Sequence, residues 1–345
     1  MRYSVSMIPI GIVGASGFTG AELLRLAAQH PEFSVRFATG DSMSGTAIED
    51  LYPSLAGKYP GMVFEPWSSD LLESVDVVFL GLPHGASQAI VPQLIGSVDL
   101  IVDLGADFRL KTPAEYLQWY NEAHTQPELL GSFVYGLPEM HREQLQTATR
   151  IATPGCYPTA ASLPLVPLVR AGLVHTDRII VDAASGVSGA GRPPKPNTTF
   201  CAVDSDFTAY GLMSHRHTPE MEMNIGATVL FTPHLAPMSR GILATCYAQP
   251  VDPALTTEQV LQVLSDFYAD EPFVVVSERL PSTKATLGSN SAHITACVDE
   301  RTSTVIALCA IDNLGKGASG AAVQCANLAL GLPEAAGLQQ VGVYP

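Results

Sequence analysis

Residues 11–20 read "GIVGASGFTG", with glycines at positions 11, 14, 17 and 20. The run ends an apolar stretch, "IPIGIV", that reads as a buried strand, and it opens a helical pattern from Thr19 to Gln29. Strand, glycine turn and helix in that order suit a dinucleotide, because bare backbone lets a pyrophosphate approach the amides at the helix N-terminus. The spacing is G-x-x-G-x-x-G rather than G-x-G-x-x-G, but its physical use is similar. A tight turn without a ligand is the competing reading. The nucleotide is favoured by the motif's place in the first unit of a doubly wound pattern. The expected cradle is Gly14, Ala15, Ser16, Gly17, Phe18, Thr19 and Gly20.

Outward from this motif, short apolar runs alternate with helical patterns. "FSVRFAT", "VDVVFLGL" and "VDLIVDLG" read as further strands, and strand and helix in turn predict a parallel sheet covered on both faces. After about residue 155 the texture changes. A helix near 158–171 is followed by "RIIVDAA", "GATVLFTPHL", "GILATCYAQ", "FVVVSE", "SAHITACVD" and "STVIALCAID", mostly strands, with one clear helix, Thr257 to Tyr268, opened by a capping box from Thr256 to Gln259. A last helix, Ala318 to Leu330, follows the glycine-rich "DNLGKGASG". The expected fold class is α/β: a Rossmann-type doubly wound parallel sheet over residues 1–155, completed by the C-terminal segment 314–345, plus an α+β catalytic and oligomerisation domain with a large mixed sheet over 156–313.

Composition excludes several classes. The 345 residues suffice for two domains, and 47% hydrophobic with 7% aromatic residues suit a globular fold. The longest apolar stretches, such as Leu163 to Val169, fall short of the ~20 residues that span a bilayer, so no membrane partner is expected. The N-terminus, "MRYSVSMIPIGIVG", has one Arg and no small-residue cleavage site, from which a cytoplasmic address is expected. A net charge of -15 without a basic cluster argues against nucleic acid. The cysteines at 156, 201, 246, 297, 309 and 325 form no C-x-x-C and no metal-ligand pair, so reduced thiols and no metal are expected.

Among these thiols Cys156 stands apart. In "ATPGCYPTA", residues 152–160, it closes a short apolar stretch, with Pro158 two residues on, where a first helical turn accepts proline. The positive end of a helix dipole favours a thiolate there, whereas most lone cysteines are buried filler. A nucleophilic thiol needs a base and a group that holds the base. "SHRHTPEMEM", residues 214–223, offers His215, Arg216 and His217 ahead of a helix start with Thr218 as cap, Pro219 in the first turn and Glu220 placed to orient a histidine. A zinc pair from His215 and His217 lacks a third ligand, and a capped surface helix is the bland alternative. Arg109 in "DLGADFRL" and Arg192 in "SGVSGAGR" could each grip a carboxylate or a phosphate, or be structural ion pairs, and Arg216 could bind an anion. "GLPHGAS", residues 81–87, follows a strand and puts Pro83 and His84 at the carboxyl edge of the sheet, facing a cofactor or merely capping a turn. At the end of the second strand, Asp41 leans towards NAD, while Thr39, Ser42 and Ser44 could bind a 2'-phosphate.

Taken together, "GASGFTGAELLRL", "GLPHGAS", "DLGADFRL", "YGLPE", "ATPGCYPTA", "SGVSGAGR", "SHRHTPEM", "FTPHLAPMSRGI" and "DNLGKGASGAAVQ" resemble the N-acetyl-gamma-glutamyl-phosphate reductase family of arginine biosynthesis, in the family's order from about residue 8 to the C-terminus. The resemblance implies a semialdehyde-dehydrogenase-like fold and an NADPH-dependent reduction of an acyl phosphate to N-acetylglutamate 5-semialdehyde with release of phosphate. It puts the nucleophile on Cys156 and the base on His217, with Glu220 beside it. The family's nicotinamide-side loop falls on Asn313, Gly315, Lys316 and Gly317, and Ser185 and Gly186 join the expected cofactor contacts. Many relatives carry a basic residue where this chain has Gly40 and Asp41. A small-molecule substrate and a homo-oligomer, dimer or tetramer, are the expected partners. An aminoadipyl-phosphate reductase is the nearest alternative; a non-redox thiol hydrolase and a non-catalytic NADP-binding protein are the rivals from other classes.

Overall fold

A computed structural model of the chain describes residues 7–345; the reading of the N-terminus falls partly on residues 1–6, outside the described residues. The chain divides into two compact units. One comprises Met1–Leu117, Glu122–Pro154 and Ala318–Leu338, the other Gln118–Asn121, Gly155–Gly317 and Gln339–Pro345. The returning segment is thus shorter than the expected 314–345. Residues Gln339–Pro345 stay with the second unit, where Asn290 donates its amide to the Gln339 carbonyl (2.8 Å) and Val343 donates to Leu287 (2.7 Å).

The first unit is built on six strands, β1 (Ile8–Val13), β2 (Phe33–Ala38), β3 (Val77–Leu80), β4 (Leu100–Asp103), β5 (Val134–Tyr135) and β6 (Arg150–Ala152). They pair in the order β2-β1-β3-β4-β6-β5, every pair parallel, as the alternation of strand and helix predicts. β3 and β4, "VVFL" and "LIVD", are buried throughout, which suits strands covered on both faces. The strand order reverses between β1 and β3, so the loops after these two strands flank the crevice where ligands bind in open α/β sheets. The returning helix Gly320–Ala329 is buried almost end to end. It is pinned by Cys325, whose thiol donates to the Gly136 carbonyl (3.2 Å), and by Asn327, whose amide reaches the carbonyls of Glu334 and Ala336 (3.0 Å each).

The second unit holds β7 (Ile179–Gly186), β8 (Thr208–Ala209), β9 (Val229–Ala236), β10 (Ile242–Ala248), β11 (Val274–Val276), β12 (Ala292–Asp299) and β13 (Thr304–Ile311) in the order β11-β12-β13-β10-β7-β9-β8. β7 with β9 and β11 with β12 are parallel and the other pairs antiparallel, the expected mixed sheet. The helices Cys156–Arg170 and Thr257–Phe267 lie on one face, and the strands alternate buried and partly exposed side chains accordingly. Thr256 and Gln259 form the predicted capping box. Among the described residues, no helix is long and apolar enough to cross a membrane.

The helix Cys156–Arg170 buries every residue from Tyr157 to Leu168 although it contains Pro164 and Pro167. Pro167 has no N–H, so the Leu163 carbonyl, four residues earlier, loses its partner within the helix. Tyr268, at the C-cap of the helix Thr257–Phe267, replaces that bond by donating its hydroxyl to the Leu163 oxygen (2.5 Å) in a buried setting. Replacing Tyr268 by Phe should therefore destabilise the protein by about 1–3 kcal/mol, the usual cost of an unpaired buried acceptor, read as a lowered denaturant midpoint with an unchanged slope.

Candidate active site

In the first unit, the loop after β1 turns at Gly14, with φ of 80°, where an added Cβ would lie 2.6 Å from the Gly81 carbonyl oxygen. Gly20 presses on Ala15, so the loop is closed to side chains on two sides. The helix Phe18–Ala27 starts after Gly17 with no side-chain cap. A bare cradle at an uncapped helix N-terminus, beside the switch point, fits a pyrophosphate. Thr39 is buried under this loop, its hydroxyl accepting the Gly14 amide (3.2 Å) and its carbonyl the Ala15 amide (2.7 Å). Ser42 and Asp41 are exposed on the turn Asp41–Met43.

His84 and Arg109 belong to a polar network in the same unit. The Asp107 carboxylate accepts the amides of Gly85 (2.8 Å) and Ser87 (3.1 Å), which fixes the loop that carries Pro83 and His84. The His84 ring lies between two carboxylates, Nδ1 3.0 Å from Asp107 and Nε2 2.7 Å from Glu122. Burial pushes Asp107 up, but the bonds from His84 and the two amides outweigh it and hold the carboxyl below its ordinary value. Asp103, fully buried at the end of β4, is pushed up to about 7 by burial, against the opposing bond from the Gly105 amide. Arg109 is buried and donates to the Leu104 carbonyl (2.8 Å).

In the second unit, Cys156 is the first residue of its helix, and no side chain caps that end. The helix Thr218–Ile225 packs against this first helix and brings Glu220, completely buried, to accept the Gly155 amide (3.0 Å). The His217 ring lies directly on the bare Cα of Gly155: a Cβ there would meet Nε2 at 2.5 Å. A Cβ on Gly317 would meet the Cβ of Cys156 at 2.9 Å. Cys156, His217 and Glu220, some sixty residues apart in sequence, thus converge on one point of backbone. One expectation needs correction. Thr218 is not the cap but the first helical residue, and His217 holds the cap position in a right-handed helical conformation (φ -85°, ψ -10°). The turn already winds at His215, whose carbonyl accepts the Thr218 amide (3.0 Å).

Further residues frame this cluster. His215 Nδ1 accepts the His217 amide (3.2 Å), so its proton sits on Nε2. Burial, then the neighbouring charge of Arg216, push its pKa down to about 4, leaving it neutral. The rings of Tyr157, Tyr210 and Phe231 surround His215 edge to face at 5.2–5.6 Å. Tyr210 donates to the Tyr157 hydroxyl (3.2 Å), which donates to the His234 carbonyl (2.9 Å). Arg216 is exposed and Arg192 half-buried. Asn313 accepts the Gly241 amide (2.7 Å) and donates to Ser188 (2.9 Å). Ser185, buried, donates to the Gly186 carbonyl (3.0 Å). Lys316 is completely buried, with Nζ 5.8 Å from the centre of the Phe273 ring.

Comparison with known proteins follows the same division. Residues 9–148 match the semialdehyde dehydrogenase NAD binding domain and residues 156–313 the semialdehyde dehydrogenase dimerisation domain. A protein of Symbiobacterium thermophilum named N-acetyl-gamma-glutamyl-phosphate reductase is 47% identical over 98% of this chain and 99% of its own length. One of the same name from Geobacter sulfurreducens is 45% identical over 98% and 100%. The chain belongs to the N-acetyl-gamma-glutamyl-phosphate reductase family. Solved structures extend the likeness of this reductase family's fold to more distant proteins. Aspartate semialdehyde dehydrogenase II of Vibrio cholerae, complexed with ASA, aligns with a TM-score of 0.70 at 17% identity, over 94% of this chain and 98% of that one. Aspartate semialdehyde dehydrogenase with NADP from Candida albicans aligns with a TM-score of 0.67 at 16% identity, over 94% and 98%.

The low pKa of His215 has a stability consequence in this N-acetyl-gamma-glutamyl-phosphate reductase homologue. The folded state holds the ring neutral down to about pH 4, whereas the unfolded chain protonates it near the ordinary 6.5. Its contribution is therefore complete above pH 6.5 and is lost as the pH falls from 6.5 to about 4. His215→Asn keeps an acceptor near the Nδ1 position and removes the titration, so its denaturant midpoint should fall less steeply over that interval than the parent's.

Proposed function

We propose that the chain reduces N-acetyl-L-glutamyl 5-phosphate with NADPH to N-acetyl-L-glutamate 5-semialdehyde, releasing phosphate, as a step of arginine biosynthesis in the cytoplasm. The observation that carries this reading is the convergence of Cys156, His217 and Glu220 on Gly155, in a chain 47% identical over nearly its full length to a reductase of that name. The Cys156 sulfur, deprotonated by His217, attacks the acyl carbon; the bond from that carbon to the phosphate oxygen breaks, phosphate leaves, and a thioester remains on the enzyme. When bound, NADPH would supply the hydride to the thioester carbon, and the His217 imidazolium returns its proton to the resulting oxyanion, giving a thiohemiacetal. His217 then removes the hydroxyl proton as the carbon–sulfur bond breaks, which frees the aldehyde and returns Cys156.

Each neighbour has a part in this sequence. Glu220 holds Gly155 and with it the floor under the imidazole. Neutral His215 holds the His217 backbone without adding a second charge. The first-turn amides of the helix that Cys156 opens stabilise the oxyanion, each such donor being worth about 3 kcal/mol. Gly14 to Gly20 hold the cofactor's pyrophosphate, with Ser42 exposed for a 2'-phosphate, Pro83 and His84 in the neighbouring loop, and Ser185, Gly186, Asn313 and Lys316 on the nicotinamide side. Arg109, Arg192 and Arg216 serve the substrate's carboxylate and phosphate. The decisive assay follows absorbance at 340 nm with the semialdehyde and NADP. The signal should require added phosphate, and Cys156→Ser should abolish it; near-normal phosphate-dependent oxidation by Cys156→Ser would refute the thioester route.

The second unit also supports a homodimer. On the sheet face away from its helices, Leu230, Ile180, Tyr247, Ile306 and Cys297 stand side by side across five strands, at the registers Leu230–Ile180, Ile180–Tyr247, Tyr247–Ile306 and Ile306–Cys297. Ile180 and Leu230 are 38% and 58% exposed. An apolar row of this kind marks an association surface. Ile180→Asp should shift the sedimentation coefficient to that of a monomer while the circular dichroism spectrum is retained.

A further inference from the structure

Asp312, at the end of β13, is completely buried and outside the chemistry described above, yet its carboxylate gathers five donors. Oδ1 accepts Nε (3.1 Å) and Nη2 (2.9 Å) of Arg240 and the amides of Leu314 and Gly315 (2.9 Å each), while Oδ2 accepts the Gly288 amide (2.6 Å). A buried carboxylate is tolerated only when it is satisfied in this way, and the charge-assisted bonds from a guanidinium are among the stronger ones. The backbone of the same residue adds a sixth bond, its carbonyl accepting the Gly317 amide (3.0 Å). Side chain and main chain of Asp312 therefore hold the turn 312–317 at both ends.

The far end of that turn is the wall against the nucleophile. Gly317 touches Cys156 so closely that an added Cβ would lie 2.9 Å from the cysteine Cβ and 3.3 Å from its Cα. Arg240 is anchored from the other side as well: its backbone presses on Gly186, where a Cβ would meet the Arg240 nitrogen at 2.8 Å, and the next residue, Gly241, donates to Asn313. We infer that Asp312, clamped by Arg240, is a positioning residue that sets the backbone wall of the turn 312–317 and so fixes where the Cys156 sulfur points. The inference rests on the reading of Cys156 as nucleophile. Its physical basis is that a misplacement of about 1 Å at a reacting atom can cost on the order of 100-fold in rate.

The test reads the thiol directly as well as turnover. Iodoacetamide labelling of Cys156, quantified by mass spectrometry of its peptide across pH, is compared between the parent and Asp312→Asn, in the absence of substrate. The expected result is a labelling rate and pH profile altered from the parent's, with kcat lower by about 10- to 100-fold and KM for the semialdehyde within about twofold, as for a group acting on the chemical step. A folded Asp312→Asn enzyme with the parent's labelling profile and kcat would overturn the inference. Should Asp312→Asn not fold, Arg240→Gln decides by the same readouts, since that side chain is 22% exposed and its loss leaves the turn's amide bonds in place. Failure of the catalytic reading is separate: Cys156→Ser would then keep turnover, whatever the labelling of Cys156 in the Asp312 variant.

Discussion

The bond from the Gly155 amide to the buried Glu220 carboxylate is the joint on which the second unit's chemistry depends. It ties the start of the helix Cys156–Arg170 to the helix Thr218–Ile225, and so converts two segments about sixty residues apart into one rigid corner. The imidazole of His217 rests on the same glycine, which means that thiol, base and carboxylate are referenced to a single backbone atom group. A carboxylate hydrogen-bonded to an amide at such a point gives direction rather than merely attraction, because an N–H bond has one axis.

That corner is only as stiff as the helix behind it. A helix buried on all sides and interrupted by two prolines has carbonyls with no partner of their own, and one of them is served from outside by the Tyr268 hydroxyl. Packing against the seven-stranded sheet then holds the segment in place, with burial supplying the stability that regular hydrogen bonding cannot. The prolines have a use as well as a cost: Pro158 removes an amide in the first turn that would otherwise need a partner there.

Much of this was legible in the sequence, for reasons that are local. The glycine run at 11–20, the apolar strands β1, β3 and β4, and the capping box at Thr256 are written in neighbouring residues, where period and turn chemistry act over a few positions. The corner itself was legible only as parts, since nothing in "GCYPT" or "HRHTPE" says that Glu220 will reach the Gly155 amide. Thr218 was read as a cap because Ser and Thr before proline usually are; the turn begun by His215 displaced it by one residue. The bonds of Tyr268 and Arg240 gave no local signal, their partners being 105 and 72 residues away. Asp312 could have been found: an aspartate whose side chain bonds amides two and three residues on, ahead of a glycine, is an Asx-type turn.

Gly155 and Gly317 both border Cys156, one before it in the chain and one against its Cβ, each pressed too closely for a methyl group. A reactive centre walled by main chain has no side chains there to exchange, so its geometry is inherited as a fixed part while acyl-chain preference has to be written further out. Divergence among enzymes of this architecture is then expected to accumulate in segments such as 188–216, and to leave the two glycines alone.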